Sequence, residues 1–132
     1  MKHDDLSLRF GDGIKKFNAQ EFYDCHDIFE DIWFEVRGSS RRFFQGLIHL
    51  AVGFYHILER NNPTGALSQL NKGKTKLIDY LPEFNGVDLK TLLEKTQMCI
   101  INIEQVQLGK KKFNEKLIPM IEYDESKFEN KN

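Results

Sequence analysis

The segment from Arg41 to Arg60 constrains this chain more than any other. Phe43, Phe44, Leu47, Ile48, Leu50, Ala51, Val52, Phe54, Tyr55, Ile57 and Leu58 leave it no wide polar face, the pattern of a helix surrounded by other helices. Its apolar run, Phe43 to Leu58, is interrupted by Gln45, His49 and His56 and is shorter than the ~20 residues that cross a bilayer. No membrane span is expected, and the segment reads as the central element of a soluble bundle. A chain of 132 residues holds one core of ordinary size, so residues 1–132 read as a single domain.

Apolar spacing and capping residues place four more helices around this element. Leu6, Phe10, Ile14 and Phe17 make one stripe on a first helix over about 6–17. Asn18, answered by Glu21, reads as the cap of a second helix over about 20–36, which stops near Gly38. Ser39 or Ser40 is expected to cap the third helix, about 41–60. Asn62 before Pro63 starts a fourth that ends by Pro82, and Asn85-Gly86 is a turn dipeptide. Asp88 caps a fifth helix running to Leu108 before Gly109, and the tail from Lys110, with Phe113, Leu117, Ile118, Met120 and Ile121 around Pro119, is expected to lie across the bundle and fray at its end. No strand-length alternation occurs, so the fold class is an all-α bundle of about five helices, with a sheet not expected.

Charge and cysteine usage narrow the function classes. Nineteen basic residues against 20 acidic ones leave a net charge of −1, too little positive field for a polyanion, so nucleic acid is not an expected partner. Arg41-Arg42 and Lys110-Lys111-Lys112 lack the interleaved aromatics of a stacking platform and read as solvated faces. Cys25 and Cys99 fall in helical patterns without C-x-x-C spacing and read as buried free thiols, and no apolar segment follows Met1-Lys2-His3-Asp4-Asp5, so a cytoplasmic location is expected. Eleven Phe in so small a bundle allow a homodimer. Gly46 and Gly53, seven residues apart on the third helix, share one side of it and point to a closely approaching neighbour.

Two polar lines carry what chemistry the chain offers. Tyr23, His26, Glu30 and Trp33 follow helical spacing on the second helix; Gln45, His49, Val52, His56 and Glu59 do so on the third. A short connection makes the two helices antiparallel neighbours, so the lines can face each other. One reading is structural: His26 bonds across the helix pair and shares an interior network with Glu30, while Gln45 and His56 satisfy backbone groups at helix ends. A second is a pocket for a small ligand or a protein partner. A third is a metal-dependent enzyme, a hydrolase or an oxygen-activating protein, in which His26, Glu30, His49 and His56 hold zinc or iron.

Phe17-Asn18, Phe22-Tyr23, His26-Asp27 and Glu30-x-x-Trp33, followed by Phe44-Gln45-Gly46-Leu47-Ile48, Ala51, His56, Asn61 or Asn62 and Gly65-Ala66, resemble the two motifs of the domain-of-unknown-function family 309 across about residues 10–81. The resemblance implies a small all-helical protein of bacteria or archaea with one central helix, and it supplies no activity. The family pattern usually has His-Glu where this chain has His26-Asp27, and Gln where it has His49. Matched positions leave His26, Glu30, Trp33, Gln45, His56 and Asn61 or Asn62 as the candidate ligand site, with Gly46, Gly65 and Ala66 assigned to helix packing.

Overall fold

The computed structural model describes residues 2–129. Its five α-helices are α1 (Lys2–Asn18), α2 (Phe22–Glu35), α3 (Arg41–Glu59), α4 (Pro63–Leu77) and α5 (Leu89–Gln107). Each packs on the next in sequence, which leaves α3 between α2 and α4. The expected fraying falls on residues 130–132, outside those described. Among the described residues no helix is long and apolar enough to cross a membrane.

Phenylalanine builds the core. The Phe10 ring, fully buried, lies 5.2 to 6.0 Å from Phe29, Phe43, Phe44, Phe128 and Tyr123, tying α1 to α2, α3 and the tail. Phe17, Phe22 and Phe54 form a second knot, with centroids 5.1 to 5.9 Å apart. Edge-to-face and tilted pairs at these separations favour the rings beyond the area they bury. Cys25 and Cys99 are buried free thiols; burial pushes Cys25 up and Cys99 up to about 12.

The glycines on α3 mark its contact with α4. A Cβ on Gly46 would stand 2.6 Å from Leu77 Cγ, and one on Gly53 2.6 Å from Leu70 Cδ2. On α4, a Cβ on Gly73 would meet the Gly46 carbonyl at 2.9 Å. The two backbones therefore approach where neither has a side chain. Gly65 serves otherwise than expected: it makes room for the amide of Asn62, which caps α4, since a Cβ there would lie 2.6 Å from Asn62 Nδ2.

Three local expectations are corrected. Asn18 caps nothing on α2: it is the last residue of α1, and its amide brackets the tail backbone, donating to Ile121 O at 3.0 Å and accepting from Ile121 N at 2.7 Å. Glu21 is the residue before α2 and makes no side-chain cap. Ser39 and Ser40 lie in a 3₁₀ turn, Gly38–Ser40, opened by Gly38 at φ +82°, and neither caps α3 through its side chain. A small hairpin also exists, β1 (Glu83–Phe84) against β2 (Val87–Asp88), turned by Asn85 and Gly86 at φ +50° and +83°. The tail joins it, through Asp88 N to Glu122 O at 3.1 Å and Asp124 N to Gly86 O at 2.8 Å. Ile118 and Ile121 are buried in that tail, while Met120 faces solvent.

Candidate functional site

α3 is less enclosed than its composition suggests. Gln45, Ile48, His49, Val52, Tyr55, His56 and Leu58 are only half-buried, so the polar line runs along the edge of the core rather than through it. Beside this edge α2 and α3 leave a cleft of about 220 Å³ lined by Phe22, Tyr23, His26, Val52, Tyr55 and His56. The Tyr23 and Tyr55 rings stand 5.7 Å apart at 50° and form a corner, with the imidazole of His26 5.5 Å from Tyr23 and that of His56 6.2 Å from Tyr55.

The polar contacts of His26 stay on its own helix. Its Nε2 is 3.8 Å from Glu30 Oε2, and its Nδ1 is 3.3 Å from Asp27 Oδ1 without the alignment of a hydrogen bond. Glu30 and Asp27 are 43% and 56% exposed in their side chains, so the interior His26–Glu30 network read from the sequence is instead a cluster at the surface. His56 Nδ1 is also buried without a hydrogen-bond partner among the described residues. Donor atoms of His26, Asp27 and Glu30 lie within 4.8 Å of one another, close enough to hold one metal ion, and neither His49 nor His56 joins that group.

The other candidates are spread along the bundle. His49 turns to α4, where its Nδ1 lies 2.8 Å from Gln69 Oε1. Burial pushes its imidazole below the usual range, helped by Lys76 and Lys72 and opposed by the Gln69 hydrogen bond. Trp33 sits at the far end of α2, covered by the Arg41 guanidinium 3.9 Å from its ring centroid, with Arg41 Nε donating to the Trp33 carbonyl at 3.2 Å. Gln45 is half-buried near the start of α3. Asn61, at φ +48°, turns the chain out of α3; Asn62 N donates to His56 O at 2.9 Å, and its side chain accepts from Gly65 N at 2.9 Å. Both asparagines shape the α3–α4 connection. Of the seven sequence candidates, only His26 and His56 line the cleft; Glu30 lies 3.8 Å from His26 without lining it.

Phe22 and Tyr55 belong to the cleft and were not singled out as site residues by sequence. Their signal was spacing: Tyr55 is three residues beyond Val52, and Phe22 four before His26, so each shares a face with a member of the polar lines.

Fold and cleft together define a five-helix bundle with a histidine- and tyrosine-lined hollow between its second and third helices. Residues 10–69, which contain every cleft residue, match the sequence model of the family described as Domain of unknown function (DUF309). It is 31% identical over 104 residues to the uncharacterized protein YpuF of Bacillus subtilis (strain 168), a match covering 75% of this chain and 59% of YpuF. The chain thus spans about three fifths of that relative's length.

Proposed function

We propose that the α2–α3 cleft binds a small organic ligand, with His26 and His56 as its hydrogen-bonding groups. The observation that carries this reading is that two helices each bring an imidazole to one hollow, and that Nδ1 of both rings is buried without a hydrogen bond among the described residues. A buried polar atom left unpaired costs about 1–3 kcal/mol, a cost that a guest with matching groups removes. A purely structural pair of histidines is expected to bond across the helices, whereas among the described residues the polar contacts of His26 are with Asp27 and Glu30 of its own helix. The hollow also has the makeup of a binding site, mostly aromatic and apolar with a few convergent polar groups.

Screening fragment-sized compounds against the isotope-labelled protein tests the reading. Binders are expected to shift the ring signals of His26, His56, Tyr23 and Tyr55 together, and to stop doing so in His56→Leu. A screen in which no compound moves those signals overturns it.

The His26, Asp27 and Glu30 donors support a second reading, a divalent zinc or iron ion held at this end of the cleft by one turn of helix, with coordination positions left for a substrate. Metal analysis of untagged protein separates the two readings. Stoichiometric metal that is lost in His26→Ala favours the metal site, whereas metal-free protein indifferent to chelator removes it.

A further inference from the structure

The cleft does not end at the histidines. Next to it lies a second hollow of about 300 Å³, which shares Phe22, Tyr23 and Tyr55 as a wall and adds Gln20, Glu21, Asp24 and Glu59. Carboxylates therefore stand on both sides of the aromatic corner: Asp27 and Glu30 beside His26, and Glu21, Asp24 and Glu59 beyond Tyr23 and Tyr55. Neither hollow is lined by Lys or Arg. Lys16 partly compensates this charge from α1, at 2.9 Å from Glu21 and 4.0 Å from Asp24, while Glu59 has no ion pair among the described residues.

Resting on the ligand-binding reading above, we propose that the cleft selects an alkylammonium group, borne by a free aliphatic amine or by the lysine side chain of a polypeptide. An ammonium brings three donors and no acceptor, which suits an imidazole nitrogen that accepts and a rim of carboxylates and suits no anion. Its positive charge is attracted to the faces of tyrosine rings within about 6 Å, and Tyr23 and Tyr55 supply two such faces at 50° to each other. The methylenes next to the ammonium then lie against Phe22 and Val52. The size agrees: the hollow beside the histidines, about 220 Å³, is below the roughly 300 Å³ at which pockets begin to take drug-sized molecules, so the part of the guest seated there has only a few carbons. A single sign of charge around a concave aromatic site also raises the local concentration of the opposite ion.

Titration of the labelled full chain at pH 8 with four probes tests the proposal: n-butylammonium, butan-1-ol, butyrate, and lysine blocked as its N-acetyl N-methylamide. Butylammonium is expected to shift the His26, His56, Tyr23 and Tyr55 signals and to bind about fivefold to tenfold more tightly than butan-1-ol, the ratio that one cation–π contact and one partly exposed ion pair supply. Butyrate should bind more weakly still. Glu59→Gln should lower the butylammonium affinity severalfold and leave butan-1-ol unchanged, because Glu59 is exposed and its loss does not disturb the core. Blocked lysine binding as tightly as butylammonium assigns the group to a polypeptide side chain; binding of butylammonium alone assigns it to a free amine. Butan-1-ol or butyrate shifting the same signals at equal or higher affinity overturns the ammonium selectivity while the ligand site stands. Failure of all four probes and of the fragment screen removes the ligand site itself.

Discussion

The two sides of α3 are built on opposite principles. Toward α4, Gly46 and Gly53 bring the backbones so close that a single added methyl would strike Leu77 or Leu70, and the one histidine on that side is bonded to Gln69. Toward α2, bulky rings from Phe22, Tyr23 and Tyr55 meet two histidines and leave a hollow. Small residues let α3 and α4 close, whereas the α2–α3 seam keeps a hollow lined by larger rings. The same helix thus contributes to dense packing on one side, where each atom supports stability, and to an open, imperfectly satisfied surface on the other. Natural proteins tolerate such surfaces chiefly where they bind something.

The largest effects belong to the α4 side. Leu70 is fully buried against Gly53, and Leu70→Ala is expected to cost about 2–5 kcal/mol in urea unfolding, because the rigid helix pair cannot collapse onto the space left. Gly53→Ala should cost about 1–3 kcal/mol through overpacking, even though alanine gains roughly 1 kcal/mol of helix propensity. The double variant sharpens the comparison. The methyl group added at position 53 faces the room vacated by Leu70, so the combined loss should fall short of the sum by more than about 0.5 kcal/mol. Additive losses would show that the helices already stand farther apart than the glycine contacts imply.

On the α2 side the expected sign reverses. His56→Leu replaces a buried nitrogen that lacks a partner with an apolar group of similar size, and should leave the melting temperature unchanged or raise it, by up to about 1 kcal/mol in stability. A loss above about 1 kcal/mol would break the contrast between the two sides. Glu30→Ala is expected to change stability by no more than about 0.5 kcal/mol, since the carboxylate is 43% exposed in its side chain and 3.8 Å from His26, the range of surface ion pairs.

What was legible in the sequence was what acts locally. Asn62 and Asp88 cap helices through amides three residues ahead, and Gly109 ends α5 at φ +76°; each depends on neighbours in the chain. Asn18 has the same chemistry as a cap, but its partner is Ile121, 103 residues away, and no local pattern contains that. The Asn85-Gly86 turn was visible, yet strands of two residues each are too short to show alternation. The polar line on α3 was also visible, but not its division between two neighbours. His49 and His56 are seven residues apart and differ by only about 20° around the helix; one meets α4 and the other α2 because the crossing of the neighbouring helices decides which of them covers each turn.

That division yields the smallest effect, and pH reads it out. His49 is half-buried, bonded to Gln69 and flanked by Lys72 and Lys76, and its imidazole is held below the usual range, chiefly by burial. The folded state therefore takes up its proton less readily than the unfolded chain does. Linkage then requires that stability associated with neutral His49 be fully present above the ordinary imidazole pKa of about 6.5, and be lost as pH falls from there through the lower folded value. His49→Gln keeps an amide that can donate to Gln69 and removes the titration. The melting temperatures of the two proteins should differ by a constant amount between pH 7 and pH 8, and the difference should move in favour of the variant as pH drops from about 6.5 to 5. A difference that stays constant over the whole range would mean that the His49 ring is as well hydrated in the fold as in the unfolded chain, and the α4 side would then lose its claim to be the closed one.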